Sequence, residues 1–263
     1  STFMQWAFNE MDDILVVNEA VPNVKELNIL SFSGTYGLND KFGLQTTVPY
    51  FGLSADIHGF DSIGNRNQSN GDLSGLGDMS LSLYSKILEN NKFFTSVSLQ
   101  LGLEFPTGRI QENLHGITGS LGSGSFDPLF GFQASKQNKK WSFLTGSLYR
   151  WTSNNRDGLD QGDFFSIQFQ VGRALFSGNQ IPSSDSIYSH QVHIENQWIW
   201  MDRQRAGQDV SLNTGGQRNF VSLGYSIRYL KTLKGSISAG TALLESLNEQ
   251  QNKSKYRVQF ALN

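Results

Sequence analysis

The chain has 263 residues, with 21 Lys and Arg against 23 Asp and Glu, a net charge of −2 and a pI near 6.1. Its scattered basic residues offer no patch for nucleic acid, and the absence of cysteine removes disulfides, thiolate chemistry and Cys-ligated metal sites. A mean hydropathy of −0.35 without a long apolar run excludes transmembrane helices; it leaves open a membrane barrel, in which every second residue faces the lumen.

Ser1 stands inside what reads as folded sequence, so any targeting segment is expected to have been removed or to lie outside this chain. Thr2–Asn9 sets Met4, Trp6 and Phe8 against Gln5 and Asn9, which predicts a first strand. An acidic connection over Glu10–Glu26 follows. Strands are then predicted over Leu27–Leu38 and Lys41–Asp56 around Asn39-Asp40, a tight hairpin signal. Ile57–Leu76, rich in Gly, Asn, Ser and Asp, reads as a loop.

Gly77–Leu88 and Phe93–Phe105 carry the clearest alternation. Met79, Leu81, Leu83 and Ile87 share one parity in the first; Val97, Leu99, Leu101, Leu103 and Phe105 share one in the second. Pro106–Ser125 is a Gly/Ser-rich loop. Phe126–Lys136 and Trp141–Thr152 form a hairpin, Ser153–Gly162 is a polar loop, and Asp163–Phe176 and Ile187–Met201 flank a moderate turn. Asp202–Gln217 is polar. The last strands fall at Arg218–Leu230, Gly235–Leu247 and Ser254–Leu262.

The connections carry more information than the strands. Short ones at 39–40, 89–92, 137–140, 177–185 and 232–234 alternate with long polar ones at 10–26, 57–76, 106–125, 153–162, 202–217 and 248–253. Outer-membrane barrels have short periplasmic turns and long external loops, whereas a soluble sandwich has no reason to sort its loops this way. The apolar parities at 79–87, 97–105, 165–171, 221–229 and 256–262 hold no Asp, Glu, Lys or Arg. That fits a lipid face, where each Lys or Arg costs about 2–4 kcal/mol at the midplane. Aromatics near the short turns (Phe42, Phe93, Phe94, Trp141, Phe176) and toward the long loops (Tyr50, Phe51, Phe105, Phe126, Trp151, Phe164, Trp198, Trp200, Phe220) predict two interfacial girdles.

The opposite parity supplies the candidate functional residues. Lys86, Glu104, Arg150, His193, Glu195, Arg228 and Arg257 are expected to line the lumen. There they could set pore selectivity or pair into a plug. His193 and Glu195, beside Gln191 and Gln197, are too few for a metal site, and no cofactor is expected. Pro106–Pro128 reads first as turn chemistry; the alternative is an inward-folded gate presenting Arg109, Glu112 and His115. A lipid hydrolase would need a Ser–His pair near the external leaflet; His190 is expected near the periplasmic end, His193 faces inward, and His58 and His115 lie in loops without an evident serine partner, so no enzyme is expected.

The words Tyr36-Gly37-Leu38-Asn39-Asp40-Lys41-Phe42, Val48-Pro49-Tyr50, Gly77-Asp78-Met79-Ser80-Leu81-Ser82-Leu83-Tyr84, Phe105-Pro106-Thr107-Gly108 and Leu121-Gly122-Ser123-Gly124-Ser125-Phe126-Asp127-Pro128 occur in that order. In them the chain resembles the outer-membrane barrel family named for the MetA pathway of phenol degradation. The resemblance implies a bacterial outer-membrane location and passage of hydrophobic or aromatic compounds, but carries over no binding residues. The expectation is one all-β domain over residues 1–263, an antiparallel up-and-down transmembrane barrel of about twelve strands. It would act as a passive channel or uptake porin for small, hydrophobic solutes. The alternative is a non-conducting barrel that anchors a larger outer-membrane assembly through protein partners. The lipid bilayer, lipopolysaccharide and small solutes are the other partners expected, with no nucleic acid.

Overall fold

The computed structural model describes residues 2–9, 21–60, 66–90, 95–109, 112–114, 117–138, 140–177, 188–211, 214–229, 233–248 and 256–262. Its strands are β1 (Thr2–Asn9), β2 (Val21–Gly37), β3 (Phe42–Phe60), β4 (Arg66–Leu76), β5 (Met79–Asn90), β6 (Thr95–Phe105), β7 (Glu112–Leu114), β8 (Ile117–Gly119) and β9 (Asp127–Gln137). They continue with β10 (Trp141–Arg150), β11 (Leu159–Asp160), β12 (Phe164–Ser177), β13 (Tyr188–Met201), β14 (Arg205–Ala206), β15 (Asp209–Val210), β16 (Gly216–Tyr229), β17 (Leu233–Leu247) and β18 (Arg257–Leu262).

Twelve of these close a ring in which every neighbour is antiparallel. It runs β2-β1-β18-β17-β16-β13-β12-β10-β9-β6-β5-β3 and returns to β2 through the β2–β3 ladder. β1 makes the closure, pairing Met4 with Leu262 on one side and with Phe32 on the other. A closed ring leaves no edge, so the backbone polar groups that would cost several kcal/mol each in hydrocarbon are paired within the sheet.

Exposure inverts the pattern of a soluble protein. Leu223 (64% exposed), Ile194 and Leu101 point outward with Leu81, Leu83, Phe132, Phe143 and Phe169, whereas Ser82, Ser222, Ser226, His193 and Arg257 on the opposite parities are buried. The outward apolar belt is therefore the lipid face predicted from alternation. At its margins, Arg173 lies over the Trp141 ring at 5.6 Å and His190 Nδ1 is 2.5 Å from Tyr225 Oη, both amphipathic pairs on outward parities near the short turns.

β2 begins at Val21, inside the connection expected over Glu10–Glu26, and two larger expectations change. Residues 57–76 are not all loop: β3 runs on to Phe60, and β4 pairs with it from Tyr50↔Leu76 to Phe60↔Arg66. β4 continues into β5 across Gly77-Asp78, where β3 offers only Val48 and Pro49 against Gly77, Asp78 and Met79. The extra residue makes a bulge, and it switches the inward parity from Leu73 and Gly75 to Asp78, Ser80 and Ser82. Pro49 has no N–H to give the ladder there, but its carbonyl accepts from Gly77 N at 2.9 Å.

The girdle is the second correction. Phe51, Phe164 and Phe220 share the inward parity; Phe51 packs against buried leucines, and the other two rings carry the Arg150 and Arg257 guanidiniums at 5.7 and 4.9 Å. Strand-end aromatics sort by parity as well as by height, and a cation–π contact repays an inward ring beside a buried arginine.

Candidate functional site: the lumen and its mouth

The inward faces bring most of the predicted residues into pairs. Arg150 on β10 and Glu104 on β6 are 3.1 Å apart near the long-loop end. At mid-height Arg257 on β18 reaches Glu195 on β13 at 3.2 Å, and it also donates to Gln197 and, at 3.3 Å, to Gln259. Sequence reasoning missed a third pair, Arg218–Glu245 at 3.4 Å between β16 and β17, almost wholly buried. Glu245 follows a bulge at Leu243, where Asn219 faces Leu244 and Phe220 faces Ala242, so simple alternation puts it on the wrong side.

Lys86 sits near the short-turn end, exposed and 3.2 Å from Glu89. Arg228 lies opposite Lys234 across β16 and β17, both exposed on inward parities. His193 is buried, with Nδ1 lacking a hydrogen-bond partner.

Several polar side chains lie flat against the wall. His193 rests on Gly224, where a Cβ would come 2.1 Å from its Nε2, and Gln191 rests on Gly172 while donating to Ser142. Glycine at these two positions is a close-approach requirement: the neighbouring strand's side chain occupies the space of the missing Cβ. Gln100 lies against Gly131 in the same way and donates to Ser82 Oγ at 2.9 Å. Gln191 and Gln100 thus hydrogen-bond along the wall.

The mouth is different. Residues 120–127 fold inward, with Leu121, Ser123, Ser125 and Asp127 buried. Their main anchor is Asp78, which the Gly77-Asp78 bulge directs inward. Its Oδ1 accepts from Gly108 N at 2.8 Å; its Oδ2 accepts from Ser123 N at 2.5 Å and Ser123 Oγ at 2.8 Å. Asp127 accepts from Ser125 Oγ at 2.8 Å and Ser153 N at 2.9 Å. Gln161 Nε2 donates to the Gly122 carbonyl at 3.0 Å, tying in the neighbouring loop, which β11, β14 and β15 brace as a small sheet. Leu121 completes an apolar cluster with Leu27, Leu53 and Leu73, against which Phe51 and Ile29 pack. Gly77 is needed beneath it, since a Cβ there would fall 2.3 Å from the Phe51 ring.

Within the stretch read first as turn chemistry, residues 120–127 are thus an inward segment pinned to the wall. Of the residues named for a gate, Arg109 is seen to reach this segment, through its backbone. Arg109 is exposed, its carbonyl accepting from Leu121 N at 2.8 Å. Glu112 pairs through its backbone with Gly119 in the β7–β8 hairpin, and His115 lies outside the described residues. A signal for the true anchors was present: Phe51 and Leu53 break the alternation by making both parities of β3 apolar near Tyr50.

The family model described as the putative MetA-pathway of phenol degradation matches residues 25–192, well over half of the chain. The chain belongs to that family. No curated protein matches it. Among solved structures, an outer membrane channel from Pseudomonas putida F1 is similar with a TM-score of 0.69 at 15% identity, covering 99% of this chain and 93% of that one. The NanC porin is similar with a TM-score of 0.54 at 7% identity, covering 100% and 98%. The β domain of the Bordetella autotransporter BrkA has a TM-score of 0.50 at 10% identity, covering 99% and 97%. At these identities the likeness is one of fold, and that fold, with the apolar belt, makes the chain a bacterial outer-membrane β-barrel.

Proposed function

We propose that the protein is a passive channel for small solutes, with the inward residues 120–127 narrowing its outer mouth. The observation that carries this is the contrast along the axis. At mid-height, the polar side chains of Gln100, Gln191 and His193 lie back against glycines of the neighbouring strands, while an apolar cluster of Leu27, Leu53, Leu73 and Leu121 sits at the mouth. Selectivity in such a pore comes from its lining and its constrictions, and no catalytic step is required. The fold likeness to an outer membrane channel and a porin supports the reading. A hydrophobic solute suits the leucine-lined mouth. Lipopolysaccharide would surround the loop end.

The competing reading is a non-conducting anchor within an outer-membrane assembly. Planar-bilayer recording on the purified barrel separates them. The channel reading expects discrete current steps and solute flux into proteoliposomes; a folded, heat-modifiable barrel that gives neither would leave the anchor.

A further inference from the structure

The charged residues of the lumen divide sharply along its axis. In the outer half and at mid-height each inward arginine has a carboxylate: Arg150 with Glu104, Arg218 with Glu245, Arg257 with Glu195. In the short-turn half, Lys86 has Glu89. Arg228 and Lys234 are the exception. They are direct cross-strand partners in the β16–β17 ladder, with Ser189 of β13 on the other side of Arg228. Among the described residues, neither meets an acidic side chain.

Two like charges set directly opposite in an antiparallel pair, about 5 Å apart at Cβ, destabilise the ladder. Anchoring to phospholipid headgroups does not account for them. Arg228 shares its parity with the buried Ser222 and Ser226, and Lys234 shares its parity with the buried Ser238, whereas the lipid-facing positions on these strands are Leu223, Ile227 and Ile237. The outward side has its own cations near the short turns, Arg173 packed over Trp141 and Lys136 opposite Phe143. The pair is bare positive charge inside the lumen.

We infer that Arg228 and Lys234 form an anion-selecting step at the short-turn end of the lumen, which favours small anions and solutes bearing a carboxylate. The inference rests on the channel reading and names the solute charge that this channel prefers. An ammonium and a guanidinium side by side supply several donors that a passing carboxylate can accept from without a fixed orientation, and exposure keeps their attraction weak enough for release. Two unit charges at contact distance in water, reduced by screening at 0.1 M salt, correspond to about a tenfold enrichment of the anion.

The test is the reversal potential of the full chain in planar bilayers under a potassium chloride gradient, repeated with potassium acetate. The wild type is expected to favour the anion in both salts. R228Q/K234Q is expected to lose most of that preference, and R228E/K234E to invert it. The K234Q single variant, expected to lie between, provides a milder change should a double variant fold poorly, and heat-modifiable migration checks each barrel. Because the pair is repulsive, R228Q/K234Q should resist urea at least as well as the wild type, which a purely structural role would not allow. A wild-type channel that conducts but favours potassium, or a preference unchanged in R228Q/K234Q, overturns this inference alone. A folded wild type that passes no current overturns it together with the channel reading.

Discussion

Replacing Asp78 tests how the mouth is held. Its carboxylate is 7% exposed and accepts three hydrogen bonds, from Gly108 N, Ser123 N and Ser123 Oγ. Hydrogen bonds to a charged group are worth about 1.5–3 kcal/mol each. Losing all three in Asp78→Ala, less what water returns, should weaken the attachment of the segment by about 3–5 kcal/mol. Asp78→Asn keeps the shape but turns one terminal oxygen into an NH2 that must face donors, so it should cost nearly as much. The barrel ladder is untouched, since β3 pairs with β4 and β5 through backbone groups on either side of the bulge. The expected result is a variant with unchanged heat-modifiable migration, larger or noisier single-channel conductance, and faster trypsin cleavage after the exposed Arg109. If Asp78→Ala cleaves and conducts like the wild type, the segment is held by Leu121 and the neighbouring loop, and the clamp argument fails.

Three further substitutions probe the wall. Gly224→Val should push the His193 ring off its resting place and into the lumen, lowering conductance; His193→Ala in the same chain should restore it. Glu195→Gln leaves Arg257, 4% exposed, as an uncompensated buried charge, at a cost of about 3–5 kcal/mol in refolding from urea; a companion Arg257→Met change should recover much of it. Leu223→Arg on the lipid face should cost about 2–4 kcal/mol in the same assay. A negligible loss there would contradict the assigned membrane face.

The ring itself was legible because lipid on one side and a polar lumen on the other impose a period of two, and because turn length sorts by membrane side. Met79–Leu83 and Val97–Leu103 could be assigned from alternation alone. What failed to show were the places where that period slips. One extra residue at Gly77-Asp78, at Ile87 or at Leu243 reverses inside and outside for everything beyond it. Asp78 and Glu245 both lie past or within such a slip. The β4 sequence, RNQSNGDLSGL, has a loop's composition and is a strand because β3 supplies a ladder for it. Leu121 and Phe51 were hidden for another reason. An inward apolar residue looks misplaced in a polar lumen until a segment from elsewhere in the chain is seen to cover it.

Charge follows the same axis once topology is known. Residues 38–41, 86–95, 136–140, 173–187 and 228–234, around the five short connections, hold ten of the 21 Lys and Arg but three of the 23 Asp and Glu. The acidic excess therefore belongs to the strands' other ends and the long loops. That division alone would suggest a mouth that attracts cations and an exit that attracts anions, with no net preference for the pore. The local chemistry breaks the tie. Asp127 is fully buried and Asp78 nearly so; Asp78 is engaged by N–H and O–H donors of Gly108 and Ser123, and Asp127 by Ser125 Oγ and Ser153 N, so their charge holds the mouth segment and the neighbouring loop in place. Among the described residues, Glu89, Glu104, Glu195 and Glu245 each face an arginine or a lysine, whereas Arg228 and Lys234 have no such engagement. On the proposed channel reading, the field set by the described residues inside the barrel is then that of Arg228 and Lys234, although the chain as a whole carries a net charge of −2.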